Sequence, residues 1–208
     1  MKQKTARGFT LVELLIVIAL LGIIATIVIA AINPIEQANR ASDSGMKADA
    51  SQVVSALQRY YTGHNNYPWS VTDPTNYPSA DTAFPFITAK DALVGLCSAT
   101  GCTTGGTLID ANELQVAFLS RSFIKATTSA GSLFVGKGAG ASSSVFACWV
   151  PKSNSARQTA HTNGKVVDLT AGLTAGLPTY TTACSTPTSA GWTVTGSNMP
   201  TCAECVPE

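Results

Sequence analysis

Charge is scarce in this chain: Asp, Glu, Lys and Arg make up 12% of 208 residues, against 45% hydrophobic residues. Disordered chains show the reverse balance, so an unfolded polypeptide is excluded. Histidine is scarcer still. His64 and His161 are the only two, both in polar, loop-like stretches without a neighbouring Cys, Ser or acidic pattern, so nucleophile and base chemistry has no visible seat. The glycine-rich segment from Gly131 to Gly140 lacks Walker spacing and reads as a flexible loop rather than a phosphate cradle. Internal repeats are absent. The acidic residues Asp73, Asp81, Asp91, Asp110 and Asp168 are scattered, which argues against a calcium loop. Lys90, Arg121, Lys125, Lys137, Lys152, Arg157 and Lys165 are likewise spread out and balanced by acids, so DNA remains a conceivable partner that no basic stripe indicates. An enzyme is not expected, nor any cofactor or metal.

What the chain does have is one long apolar run. From Phe9 to Ile32 the only ionisable side chain is Glu13. About 24 residues make a helix of roughly 36 Å, enough to cross a hydrocarbon core of about 30 Å. Lys2, Lys4 and Arg7 precede the run; the formal net charge is +1 for the whole chain and −2 without them. By the positive-inside tendency the basic leader stays in the cytoplasm and the remainder is exported. Val28-Ile29-Ala30 before Ala31 loosely resembles a signal-peptidase site, but the apolar region exceeds the usual length of about 7 to 15 residues and carries Glu13 near its start. A carboxylate inside a membrane span costs roughly 2.5 to 3.5 kcal/mol, which marks Glu13 as functional and asks for a partner. A free amine on a neighbouring copy would serve. Gly22 and Thr26 form a small-x-x-x-small pair at which apolar helices approach closely.

Pro34 lacks a backbone donor and its ring clashes with the carbonyl of Ala30, while Asn33 is biased away from helical geometry. A break is therefore expected between Ala30 and Pro34. Beyond it Met46, Ala50, Val53, Val54, Leu57, Tyr60 and Tyr61 recur at spacings of three and four, which predicts a helix with one buried face. Gly63 reads as its stop and the stretch from His64 to Pro68 as an exit loop. From Tyr67 onward the composition turns to Thr, Ser, Gly and Pro with short apolar runs, favouring strands and loops. Asp110-Ala111-Asn112-Glu113 has the form of a capping box ahead of a helix from Leu114 to Ile124, although the alternation of Leu114, Val116 and Phe118 suits a strand equally. The best strand candidates are Val145 to Val150, Lys165 to Leu169 and Trp192 to Thr195.

The string Gly8-Phe9-Thr10-Leu11-Val12-Glu13-Leu14-Leu15-Ile16-Val17-Ile18, after a short basic leader, closely resembles the class III signal of type IV pilins and type II secretion pseudopilins. The tail of the predicted helix, Arg59-Tyr60-Tyr61 leading to Asn66-Tyr67-Pro68, is also similar to the segment after the first helix in many of them. The resemblance covers about the first quarter of the chain directly. It implies an α+β, pilin-like lollipop: a basic leader at 1–8, a long helix at 9–62 whose residues 9–32 span the membrane or form a filament core, and a Thr/Ser/Gly-rich antiparallel β domain at 63–208. It also implies cleavage between Gly8 and Phe9 by a prepilin peptidase, methylation of the new Phe9 amine, and delivery to an inner-membrane assembly platform. The implied product is a helical homopolymer, as an extracellular pilus or as the periplasmic pseudopilus of a secretion or DNA-uptake system. Glycine at position 8 suits close approach to a protease. The Phe9 amine of an entering subunit would pair with Glu13 of the subunit in place and fix the axial register.

All six cysteines, Cys97, Cys102, Cys148, Cys184, Cys202 and Cys205, lie in the part expected to be exported, where an even number reads as disulfides, with 15 pairings open. Cys97 with Cys102 is the obvious local loop. The family resemblance implies a C-terminal loop closed by Cys184 and Cys202, leaving Cys148 for Cys205. Cys202-Ala203-Glu204-Cys205 is a C-x-x-C, and a membrane-anchored thiol redox protein or a zinc site must be weighed; but it lies near the chain end rather than at a helix start after a strand, and no second C-x-x-C matches it.

Overall fold

The computed structural model describes residues 8–31, 33–99, 101–140, 142–174, 176–193 and 199–207. Two compact units divide the chain between Ala38 and Asn39. The first holds helix α1, Leu11–Ala31, and the start of α2, Pro34–His64. α1 is apolar on all sides, and its described side chains are exposed. The expected break falls between Ala31 and Pro34, and Pro34 opens a helix instead of ending one. At the first helical position its missing N–H costs nothing, and Asn33 caps the turn, its Oδ1 accepting from Glu36 N at 3.2 Å.

The second unit is built on the rest of α2. The buried face of α2 includes Met46, Ala50, Val53, Val54, Leu57 and Tyr60, the predicted stripe, with Tyr61 half-buried beside it. The helix runs past Gly63 and stops at Asn65, which takes a left-handed φ of 56° and donates to the Tyr61 carbonyl at 2.7 Å. Gly63 has open space around it and positions nothing. The exit is ordered by aromatic rings: Tyr61 stacks on Tyr67, Tyr67 on Trp69 and Trp69 on Phe84, with centroids 4.8, 4.5 and 4.2 Å apart. Pro68–Thr72 forms the short helix α3 inside this stack.

The sheet is antiparallel with order β1-β2-β3-β6, from β1 Phe84–Thr88, β2 Leu133–Lys137, β3 Val145–Trp149 and β6 Glu204–Val206. Side chains alternate between two apolar clusters. Leu133, Val135, Val145, Ala147 and Trp149 join the cluster that includes the α2 stripe, while Phe134, Phe146, Cys148 and Cys205 face Phe86, Val167 and Leu169. Both faces are covered, so the strands carry no polar alternation.

That burial overturns the reading of Gly131 to Gly140 as a flexible loop, because its centre is β2, buried throughout. Gly136 is required there: a Cβ would sit 2.7 Å from Phe86 Cδ1. The single helix expected from Leu114 to Ile124 is also corrected. Asp110 ends a short helix, α4 (Thr107–Asp110), instead of capping one, and the segment beyond is a 3-10 turn, Val116–Ser120, followed by α5, Ser122–Lys125. Asn112 at φ 59° turns the chain at this point. Lys165 to Leu169 is not a ladder strand; Val167 alone bridges to Tyr180 and Ala203. Trp192 closes a 3-10 turn from Ala190, and Val194 and Thr195 lie outside the described residues. Several elements went unforeseen, among them β1, β6 and helix α6, Asn154–Thr162. A small hairpin, β4 (Leu173–Thr174) with β5 (Leu177–Pro178), lies between α6 and β6.

α6 begins where α2 holds it. Ser153 caps it by accepting from Ala156 N at 3.2 Å, and the buried Asp43 of α2 accepts from Lys152 N at 2.7 Å and Ser153 N at 2.8 Å. Removing the carboxylate strands both donors. Asp43→Ala is expected to lower unfolding free energy by about 1 to 3 kcal/mol and Asp43→Asn by less, measured by chemical denaturation.

Candidate functional site

Gly8, Phe9 and Thr10 precede the first turn of α1 and are exposed, Phe9 at 85%. A Cβ on Gly8 would meet nothing within 4 Å, so the packing of this chain alone makes no demand for glycine there. Glu13 sits in the first turn of α1. Its Oε2 accepts from Thr10 N at 2.9 Å and from Thr10 Oγ1 at 2.8 Å, and Thr10 Oγ1 is 3.3 Å from Glu13 N. This is a capping box: Thr10 supplies the cap and Glu13 closes it from the third helical position. The signal for it, Thr-x-x-Glu at the entry to an apolar run, stands in the sequence beside the stronger demand of Glu13 for an external partner. Glu13 thus has a local role as well as a free face, since Oε1 has no hydrogen bond among the described residues. Along α1, Gly22 has no atom within 4 Å of a built Cβ, and the Thr26 hydroxyl is turned back onto the Ile23 carbonyl at 2.7 Å.

The cysteines form three disulfides: Cys97 with Cys102, Cys148 with Cys205 and Cys184 with Cys202. No cysteine is free. The two members of the C-x-x-C therefore belong to different bridges and do not form a dithiol pair. Cys148 and Cys205 stand opposite each other on β3 and β6. The Cys184–Cys202 bridge lies against Gly191, where a Cβ would come within 2.7 Å of Thr201 Oγ1. Among the described residues no three His, Cys, Asp or Glu side chains are grouped to hold a metal ion. His64 is occupied by Tyr60, stacked at 4.1 Å with Nδ1 3.0 Å from the Tyr60 carbonyl oxygen. His161 lies in the last turn of α6.

Besides Asp43, two further buried charges escaped sequence reasoning. Lys137 ends β2 fully buried, its Nζ donating to the carbonyls of Gly138 at 3.0 Å and Gly140 at 2.6 Å and lying 5.6 Å from the Tyr67 ring centre. Burial pulls its pKa below the usual lysine value, and Asp81 opposes that shift. Asp49 of α2 is buried, with Arg121 Nε 3.5 Å from Oδ1. Burial raises its pKa above the ordinary aspartate value, and Arg121 only partly offsets this.

Two outcomes are expected. In the chain-entropy account a bridge stabilises more as its loop lengthens. With sequence separations of 57, 18 and 5, replacing the pairs by serine is expected to cost about 4 kcal/mol for Cys148–Cys205, about 3 for Cys184–Cys202 and about 2 for Cys97–Cys102 in denaturant titrations. For Asp49 the sign follows from the raised pKa: the folded state favours the protonated carboxyl, so the stability this group confers is fully present below the unfolded value of 3.8 and is lost as pH rises through the folded value. Asp49→Asn is expected to melt higher than the parent at pH 7, with the gap closing below about pH 4.

Comparison with known proteins places this geometry in context. Residues 3–29 match the family defined by the prokaryotic N-terminal methylation motif. The chain is 30% identical to a fimbrial protein of Neisseria meningitidis over 94 residues, 45% of this chain and 54% of that one. It is 30% identical to the type II secretion system core protein G of Klebsiella michiganensis over 87 residues, 38% of this chain and 60% of that one. With a type IV wide pilus major component of Thermus thermophilus it shares 38% identity over 65 residues, 31% of this chain and 48% of that one. The chain spans about half the length of the curated relatives it matches. No solved structure matches it significantly.

Proposed function

We propose that this relative of type IV pilins and type II secretion pseudopilins is a structural subunit that polymerises through its N-terminal helix into a type IV pilus-like filament. The observation that carries the reading is α1 itself. Its apolar side chains are exposed all round, and its one ionisable group stands beside the expected cleavage point. Such a surface is stable in lipid before assembly and among copies of itself afterwards. A prepilin peptidase cuts between Gly8 and Phe9 at the cytoplasmic face, the new amine is methylated, and the subunit waits in the cytoplasmic membrane for an assembly platform.

The pairing of Glu13 with the Phe9 amine of a neighbour gains physical detail from the capping box. The carboxylate is already oriented by Thr10 through Oε2, leaving Oε1 to receive a cation. A charge that is held and half-satisfied in this way costs less reorganisation on docking than a mobile one. The second reading, a pseudopilin of a secretion or DNA-uptake system, is favoured by the secretion-system relative. It shares every assembly step and differs in where the filament ends.

Glu13→Gln is expected to yield a subunit cleaved after Gly8 yet recovered in few or no filaments, read by mass spectrometry of the N-terminus and electron microscopy. Thr10→Val removes the box but keeps the carboxylate, and filaments are expected to persist. Wild-type filament yield from Glu13→Gln would sink the pairing. Long surface filaments would favour the pilus, and filaments confined to the periplasm the pseudopilus.

A further inference from the structure

Both buried carboxylates among the described residues stand on α2, and the fold treats them differently. Asp43 accepts two backbone N–H groups. Asp49, 6% exposed, accepts no hydrogen bond among the described residues; the cation beside it is Arg121, whose Nε lies 3.5 Å from Oδ1. That guanidinium belongs to a side chain 47% exposed and lies 5.3 Å from the Phe118 ring, so it is shared between two neighbours and water. A buried carboxylate without a donor is costly, and native folds keep few such groups without a reason. Asp49 also lines an open groove of about 500 Å³. Ser42, Gly45 and Asp49 follow one another at spacings of three and four on one face of α2, and Ser120, Arg121 and Ser122 line the groove from the 3-10 turn and the start of α5. Gly45 has no side chain and open space around it, which leaves the carboxylate approachable. Ser120 Oγ donates to the Ala117 carbonyl at 2.7 Å and keeps its lone pairs for an incoming donor. Among the described residues the hydroxyls of Ser42 and Ser122 make no hydrogen bond.

We propose that this groove binds a primary ammonium group, with Asp49 as its counter-ion and the hydroxyls of Ser42, Ser120 and Ser122 as further acceptors. An ammonium brings three donors and no acceptor, and the groove offers one carboxylate and three hydroxyl oxygens. A divalent cation asks for about six or more oxygen ligands and for more negative charge than one carboxylate. A quaternary ammonium asks for aromatic faces, and no aromatic residue lines the groove. Arg121 is the built-in competitor. A bound amine takes the place on the carboxylate that the guanidinium holds only at 3.5 Å, and the exposed arginine turns out to water. Burial raises the Asp49 pKa in spite of Arg121, in keeping with a carboxylate whose charge is incompletely met. A free aliphatic amine and a lysine of another copy present the same group. The groove lies wholly within the second unit, so the site does not depend on the filament reading.

The test is titration of n-butylammonium into the detergent-solubilised full chain at fixed ionic strength, followed by the backbone amide NMR signals of Gly45 and Ser122. The wild type is expected to respond saturably with a Kd in the millimolar range, the strength of a single charge-assisted pair. Tetramethylammonium, which cannot donate, is expected to leave the signals in place. Asp49→Asn is expected to weaken binding by about tenfold or more, and Arg121→Gln, which removes the competitor, to tighten it; thermal melts establish that each variant is folded. Equal affinity in Asp49→Asn, weaker binding in folded Arg121→Gln, an equal response to tetramethylammonium, or no saturable response of the wild type would each overturn the assignment. Filaments separate the two sources once the detergent result is positive: the groove stays open to butylammonium if its ligand is a free amine, and is closed to it if a lysine of another copy fills it. Absence of filaments counts against the polymer reading alone and leaves the detergent titration to decide the groove.

Discussion

A helix that is apolar on every side cannot be stable in water by itself, and the behaviour of this protein derives mostly from that constraint. α1 has no stripe to bury against a partner layer; its entire surface asks to be covered. On the proposed reading, lipid meets that demand before assembly and other copies of α1 meet it in a filament. Glu13 is tolerated at its head because Thr10 satisfies part of the carboxylate locally, which lowers the cost of keeping a charge beside an apolar surface without cancelling it. The group to which the proposed docking assigns specificity is therefore held in place by the first turn of its own helix.

The second unit solves a different problem with a different helix, α2. Beyond Asn39, α2 is amphipathic, and its apolar side joins the sheet in one core while polar groups fasten the edges. Asp43 secures the start of α6. Arg59 reaches Glu113, its Nε 2.8 Å from Oε2 and Nη2 2.6 Å from the backbone carbonyl. Asp49 with Arg121 is a poorer tie, since burial works against the carboxylate. Short strands and many loops leave a modest core, and three disulfides compensate by restricting the unfolded chain in the segments that have least regular structure.

The N-terminal segment was legible because its signals are local. Glu13 in an apolar run, the Pro34 break and the stripe from Met46 to Tyr60 each depend on spacing along one helix. β2 was missed for the opposite reason: buried on both faces, it has no alternation, and its flanking glycines look like loop punctuation until Gly136 is seen against Phe86. The Leu114 to Ile124 segment carried helical and strand signals together, and tertiary packing resolved it into a 3-10 turn and the short helix α5. Val167 reads as part of a strand locally but finds only single bridging partners.

Sequence by itself determined the apolar helix, its lone carboxylate, the break and the buried face of α2, because helix periodicity and chain chemistry are properties of neighbours a few residues apart. Only the tertiary structure decided how the cysteines divide, that Lys137 and Asp49 are buried, and that Asp49 shares a groove with Ser120, Arg121 and Ser122. Those relations join residues distant along the chain. Their distances are set by how the sheet, the loops and α6 close around α2, and no local pattern records them.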